Sequence, residues 1–308
     1  MNGEREIINR YKGCITGSAV GDALGAPMEF MSSEKINNTY GKDYEMVGGG
    51  SFGWKPGETT DDTDNSLCII NSLVENNKYI PADIARRFQL WYEGRPRDIG
   101  GTTRISLSLL AKGHSWEESG RLAVSLGARA GNGSLMRTEP VGLYFRMHSK
   151  DIDKAAAEIS SITHADEDCI IACQMASQLV AFLATGYSRP ESLDLLKDMY
   201  PSSTNVGNKL RKALDGGYNN ENFGWVLNTL GIALTSFIDA DNFEQALKSA
   251  IDVGWDTDSQ ATVTGAFAGA LWGNEEIPMR WKQKLNPYTF KELEAKAEKI
   301  YQLNKQIK

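Results

Sequence analysis

The chain has 308 residues, 41% hydrophobic and 24% charged, which provides for a buried core and excludes wholesale disorder. Its formal charge is −7, with Lys and Arg scattered rather than gathered into a stripe, so nucleic-acid binding has little electrostatic support. No run reaches the roughly 18 uninterrupted apolar residues that a membrane helix needs, and the opening MNGEREIINRYKG lacks an apolar signal core, so a cytoplasmic location is expected.

In chain order, the first predicted element runs through GCITGSAVGDALGAPMEF. Glycines at 13, 17, 21 and 25 recur every fourth residue, which predicts a helix with a flat ridge for close backbone approach, broken at Pro27. Glu29 follows the break and by spacing alone reads as a surface loop carboxylate. From Tyr40 to Thr60 the glycines at 48–50, 53 and 57 and Pro56 leave no room for regular structure, so a long loop is expected to deliver Thr59-Thr60-Asp61-Asp62-Thr63-Asp64. These residues run into a helical pattern at Leu67, Ile70, Leu73 and Val74. One or two of them would serve to cap a helix; an unbroken run of hydroxyl and carboxylate groups this long exceeds that need.

Further helix-like runs follow Pro81, Ser115, Asp151, Pro190, Phe223, Asn242 and Pro278, and another carries Ile171, Met175, Leu179, Phe182 and Leu183. Between them lies Gly131-Asn132-Gly133-Ser134-Leu135-Met136-Arg137, readable as a plain turn before a helix or as a cradle of backbone amides for a phosphate, with Arg137 assisting an anion or pairing on the surface. Cys169 and Cys173, one turn apart, read as buried apolar residues, and His114, His148 and His164 show no paired spacing for zinc. Asp256-Thr257-Asp258-Ser259 heads a Gly- and Ala-rich segment, with Gly265 and Gly269 one turn apart, that should be a central helix ending at Gly273. Alternating strand patterns are nearly absent. The expected fold is all-α, one domain over residues 1–308 built from roughly a dozen helices.

The triplets Asp62-Thr63-Asp64 and Asp256-Thr257-Asp258 are spelled alike and read as two halves of one metal site. Two carboxylates 4 Å apart repel by roughly 4 kcal/mol at an effective dielectric of about 20, and a bound dication reverses that sign. Oxygen ligands of this kind suit magnesium or manganese, and the number of nearby carboxylates allows two ions.

Taken as an ordered set, GSAVGDALGAPMEF, TTDDTD, RDIGGTT, GNGSLMR, THADE, GWVLNTL and GWDTDS resembles the ADP-ribosylglycohydrolase family, in particular its bacterial dinitrogenase-reductase-activating type, over nearly the whole chain. The resemblance implies two Mg²⁺ or Mn²⁺ ions held by Thr60, Asp61, Asp62, Asp256, Asp258 and Ser259, with Asp64 left to cap or orient. It implies Asn132, Gly133, Ser134 and Met136 beside the diphosphate of ADP-ribose, His164 near its distal part, and Trp225 against the adenine where relatives often carry tyrosine. Asp98 matches the family aspartate proposed as acid/base at the ribose, and Glu29 a glutamate near a bridging water. The implied partner is an ADP-ribosylated protein, arginine-linked, with ADP-ribose as product, no nucleic acid and no membrane, and a monomer is expected. Serine-linked or small-molecule conjugates are the nearest alternative. An immunity protein that occludes an ADP-ribosyltransferase is an alternative of another class.

Overall fold

Glycine at every fourth position from 13 to 25 has a counterpart in residues 257, 261, 265 and 269, and the two stripes meet. The computed structural model describes residues 2–42, 44–217 and 223–307. Its α-helices are α1 (Asn2–Gly25), α2 (Ser33–Tyr40), α3 (Asp61–Asn76), α4 (Pro81–Glu93), α5 (Gly101–Ala111), α6 (Trp116–Ser125), α7 (Glu139–Tyr144) and α8 (Ser149–Ser161). They continue as α9 (Glu167–Thr185), α10 (Arg189–Met199), α11 (Asn205–Leu214), α12 (Val226–Ile238), α13 (Phe243–Asp252), α14 (Thr257–Trp272), α15 (Met279–Lys282) and α16 (Phe290–Asn304). Among the described residues there is no strand, only isolated bridges, so the expected all-α class holds, as a single domain.

A Cβ placed on Gly13 would sit 2.2 Å from the carbonyl oxygen of Gly269, on Gly17 2.5 Å from that of Gly265, on Gly21 2.0 Å from that of Ala261, and on Gly25 2.3 Å from that of Thr257. Each step of four along α1 is matched by a step of four backward along α14. The two helices are therefore antiparallel and in backbone contact, closer than side chains at the seam would permit. This register brings the C-terminal end of α1 to the N-terminal end of α14. Thr257 fixes the junction by donating its hydroxyl to the Gly25 carbonyl at 2.8 Å.

Around this pair the core is filled by α9, which is long and apolar enough by composition to span a membrane but is a core helix here, mostly buried and packed on α7, α8, α12 and α14. Cys169 and Cys173 on α9 are buried and free, as their spacing predicts. Residues 41, 42 and 44–60 lie in no helix, as expected of this loop except that Tyr40 still belongs to α2, and the loop is pinned where Gly49 and Trp54 exchange backbone hydrogen bonds of 2.7 and 2.8 Å. Several starts match their sequence signals: α4 opens at Pro81, α6 after the N-cap position Ser115, α13 after the N-cap Asn242, and Gly273 ends α14 at φ 83°. Others differ. The described residues form sixteen α-helices rather than roughly a dozen, α8 begins at Ser149 before Asp151, and α12 begins at Val226 rather than directly after Phe223. The segment after the Gly131–Gly133 turn is a three-residue 3₁₀ turn, Leu135–Arg137, and α7 beyond it is buried throughout.

Helix α3 is clamped to α4 by Asp83, whose carboxylate accepts from Arg87 Nε at 2.7 Å, Arg86 Nη2 at 2.7 Å, Ser72 Oγ at 2.8 Å and Asn76 Nδ2 at 2.8 Å. Burial alone would raise this carboxyl, but the combined hydrogen bonds from Arg87, Arg86, Ser72 and Asn76 outweigh it and hold the group well below its ordinary 3.8. A depressed folded value means the stabilisation is complete above the unfolded value and is lost as pH falls through the folded one. Asp83→Asn should therefore cost about 1–2 kcal/mol at neutral pH. Urea melts should show the wild-type and variant curves converging as pH drops below 4; a gap that persists in acid would contradict the assignment.

Candidate active site

The end of α1, the start of α3, the loop before α5 and the start of α14 enclose a cavity of about 220 Å³. Eleven of the residues singled out from the sequence line it: Glu29, Asp61, Asp62, Asp98, Asn132, Gly133, Met136, His164, Asp256, Asp258 and Ser259. Thr60, Ser134 and Trp225 do not. Thr60 is the N-cap of α3, its hydroxyl accepting the Asp62 N–H at 3.2 Å. Ser134 is buried behind the wall, its hydroxyl 3.0 Å from Ser160 Oγ. Trp225 lines an adjoining cavity of about 630 Å³ together with Arg129, Asp166 and Phe223. The two cavities share Gly131, Phe223 and Gly224.

The helix frames explain which acids meet. Asp256 is the N-cap of α14 and Asp258 its second residue, just as Thr60 is the N-cap of α3 and Asp62 its second residue. The identical triplet spelling thus misleads, because the equivalent of Asp256-Thr257-Asp258 is Thr60-Asp61-Asp62. Asp64 falls two residues deeper and turns away, accepting from Trp91 Nε1 and Tyr288 OH, each at 3.1 Å. It ties α4 and the loop before α16 to α3 and is no part of the cavity wall.

Sequence reasoning did not single out Asp22, which is fully buried beneath the first cluster. Its carboxylate accepts the Thr60 N–H at 3.1 and 3.0 Å, the Thr63 N–H at 3.1 Å and the Thr63 hydroxyl at 2.6 Å, anchoring the start of α3 to α1. Burial, opposed by those bonds, leaves this carboxyl at about 6. The available signal was an aspartate inside a helix of small residues. Across the cavity, Asp256 is held by Asn132 Nδ2 at 2.5 Å and Thr229 Oγ1 at 3.1 Å, so the Asn132 amide is directed at an acid. Ser259 donates to Asp62 Oδ1 at 3.3 Å and links the two helix starts.

Oxygens of Glu29, Asp98 and Asp258 all lie within 4.8 Å of one another. Glu29 is buried rather than a surface carboxylate, because the register of α1 against α14 turns the chain into the cavity there. Burial, then repulsion by Asp98, Asp256 and Asp61, pushes its carboxyl up to about 9. Burial, followed by repulsion within the cluster, also raises Asp61, Asp62 and Asp258 well above the carboxylate range. Asp62 Oδ2, Asp258 Oδ1 and Glu29 Oε2 are buried with no hydrogen-bond partner, and no Lys or Arg lines the cavity among the described residues. Buried acids that lack hydrogen bonds and cationic partners are expensive. Hard divalent cations with oxygen preference fit this donor set.

The cavity mouth carries an aromatic rim that no periodicity could reveal. Phe223 packs on Phe30 (ring centroids 5.4 Å apart), Phe30 on Phe52 (6.0 Å) and Phe52 on Trp54 (5.8 Å), and the Arg97 guanidinium lies 3.9 Å from the centre of the Trp54 ring. Phe30 follows Glu29 and Trp255 precedes Asp256. Both are substantially exposed at positive φ, 66° and 70°, a conformation bulky residues rarely take outside functional sites. Reciprocal backbone bonds of 2.7 Å, Phe30 N–H to the Trp255 carbonyl and Trp255 N–H to that of Met31, hold both turns.

Clustered carboxyls set in a cleft at the ends of two helices in an all-α domain are groups able to bind a cation or to pass protons to and from a reacting bond. The chain belongs to the ADP-ribosylglycohydrolase family, whose model matches residues 3–307. It is 31% identical over 296 residues to the ADP-ribosylarginine hydrolase Tri1 of Serratia proteamaculans, covering 92% of this chain and 76% of that one. It is 30% identical to the ADP-ribosyl-[dinitrogen reductase] glycohydrolase of Rhodospirillum rubrum over 96% of this chain and 97% of that one. Among solved structures, an ADP-ribosylglycohydrolase-related protein complex superposes with a TM-score of 0.83 at 31% identity, over 97% of this chain and 99% of that one.

Proposed function

We propose that the enzyme is a divalent-metal-dependent hydrolase that removes ADP-ribose from modified protein side chains, with the N-glycosidic bond to arginine as its target. The observation that carries the metal is the set of buried, unpartnered carboxylate oxygens at two helix starts with no cationic side chain among them. Thr60, Asp61, Asp62, Asp256, Asp258 and Ser259 would hold two Mg²⁺ or Mn²⁺ ions, Thr60 through the hydroxyl that also caps α3. When bound, the ions supply Lewis-acid polarisation and neutralise the carboxylates. Asp98 and Glu29 serve as the proton-handling pair: one carboxyl gives a proton to the departing guanidine nitrogen and the other takes one from the attacking water, so the bond from the anomeric carbon to nitrogen is replaced by one to oxygen.

Two observations favour arginine as the leaving group. Relatives 31–32% identical to this chain bear the name ADP-ribosylarginine hydrolase, and the exposed rings of Phe30 and Phe223 offer the kind of faces on which a guanidinium stacks. The test is release of ADP-ribose from matched arginine- and serine-linked peptides, with Mg²⁺, with Mn²⁺ and with chelator. Chelator-sensitive release from the arginine peptide alone is expected. Release from serine alone would keep the site and overturn the linkage, while chelator-resistant release would overturn the metal.

A further inference from the structure

We infer that a buried relay, Arg137 to Thr163 to His164, fixes the tautomer of His164 so that its Nε2 carries the proton and donates to an oxygen of the bound ADP-ribose. The identity of that ligand rests on the proposed function; the tautomer does not.

Arg137 is fully buried, neither on the surface nor in the cavity where sequence reasoning would place it. Its guanidinium lies 4.1 Å from the centre of the Phe88 ring, with Nη1 donating to Asn65 Oδ1 at 3.4 Å and Nη2 to Thr163 Oγ1 at 2.7 Å. A guanidinium can only donate, so the Thr163 oxygen accepts from it. The Thr163 hydroxyl has one hydrogen to place, and its other neighbour is His164 Nδ1, also at 2.7 Å.

Three assignments are possible for the ring. If Thr163 donates to an unprotonated Nδ1, both the Thr163 hydroxyl and Nδ1 are satisfied and the ring proton sits on Nε2. If Nδ1 carries the proton, it must donate to Thr163 Oγ1, and the hydroxyl hydrogen is stranded without an acceptor in a fully buried position. If both nitrogens are protonated, the same hydrogen is stranded and a second cation stands beside Arg137. Burial, reinforced by that arginine, pushes the imidazole down to about 3, which keeps it neutral.

The backbone that carries the ring is fixed on both sides. The His164 N–H donates to the Ser160 carbonyl at 2.7 Å, and the His164 carbonyl accepts from Ser160 Oγ at 2.9 Å. The Nε2 edge meets the glycine turn: a Cβ on Gly133 would stand 3.2 Å from Nε2 and 2.9 Å from Cε1, and one on Gly131 3.5 Å from Nε2. The missing side chains leave that edge on the cavity that His164 lines. The cavity's side chains are otherwise rich in acceptors, so a fixed neutral donor on this wall selects a ligand that offers an oxygen acceptor there, a phosphate or hydroxyl oxygen of ADP-ribose.

Long-range ¹H–¹⁵N correlation spectra of histidine-labelled protein test this, with His114→Gln and His148→Gln used to assign the His164 signals. The expected result is a neutral ring protonated at Nε2 and unchanged from pH 5 to 9. Thr163→Val should give a mixture of tautomers and about tenfold weaker ADP-ribose binding, and Thr163→Ser should restore both. An Nδ1-protonated or titrating ring in the wild-type protein would overturn the relay whether or not Thr163→Val folds. So would a Thr163→Val protein with wild-type tautomer and affinity. A wild-type protein with the Nε2-protonated ring that binds no ADP-ribose would instead overturn the ligand assignment and the proposed function with it.

Discussion

Replacing Asp62 with asparagine should abolish turnover and, at the same time, raise the melting temperature of the metal-free protein. The carboxylate is almost wholly buried, its Oδ2 has no partner, and it stands against Asp22, Asp61 and Asp256. Without a cation such a group opposes folding, since each like-charged neighbour near 4 Å contributes roughly 4 kcal/mol of repulsion at an effective dielectric of about 20. Relaxation and proton uptake reduce that, so a neutral, isosteric amide should stabilise the metal-free fold by about 1–3 kcal/mol, or at least 2 °C in melting temperature. The wild-type protein should respond the other way to Mg²⁺ or Mn²⁺, gaining about 2.7 kcal/mol at a hundredfold excess over Kd. The melting curves should cross: the variant is the more stable protein in chelator and the wild type in metal. Asp98→Asn gives the control, losing about 10²- to 10⁴-fold in rate as a proton-transfer group would while keeping the metal response. A variant Asp62→Asn that melts lower in chelator, or still rises normally with metal, would show that this carboxylate answers no cation.

The parts of this site readable in the sequence are those written in local spacing. Glycines every fourth residue announced a close helix contact, and caps and prolines placed many helix starts. What spacing cannot supply is the frame of each helix relative to its acids. Asp62-Thr63-Asp64 and Asp256-Thr257-Asp258 look equivalent until α3 is seen to be capped at Thr60 and α14 at Asp256. Glu29 could not be told from a surface carboxylate, because its burial depends on which residue of α14 lies opposite Gly25. Arg137 was open to an anion-binding reading and a surface-pairing reading and fits neither, since its partners Asn65, Phe88 and Thr163 come from three segments that no local pattern connects. The aromatic rim is likewise assembled from residues 30, 52, 54 and 223, each unremarkable in its own window.

The seam between α1 and α14 makes a second prediction with a large effect, one that depends on position along a single stripe. Gly13→Ala and Gly25→Ala introduce the same methyl group against a backbone carbonyl at nearly the same distance, 2.2 Å from Gly269 and 2.3 Å from Thr257. Real Cβ atoms do not tolerate such contacts, so in each case the helices must part locally. Overpacking of this kind costs about 1–3 kcal/mol and occasionally more, and both variants should melt lower by similar amounts. Their activities should diverge. At Gly13 the displaced neighbours are Gly269, Gly273 and Asn274, far along α14 from the acids. At Gly25 the new Cβ also falls 2.7 Å from the Cα of Asp258. The start of α14 must then shift relative to Glu29, and displacements near 1 Å can cost about 10²-fold in rate. Gly25→Ala should therefore lose activity and metal-dependent stabilisation well below its melting temperature, whereas Gly13→Ala, assayed equally far below its own, should retain both. Gly3→Ala supplies the baseline, since nothing lies within 4 Å of its added Cβ. Equal loss of activity at Gly13 and Gly25 would mean that α14 moves as one rigid body. Full activity at Gly25 with normal metal response would mean that the seam does not set the position of the acids.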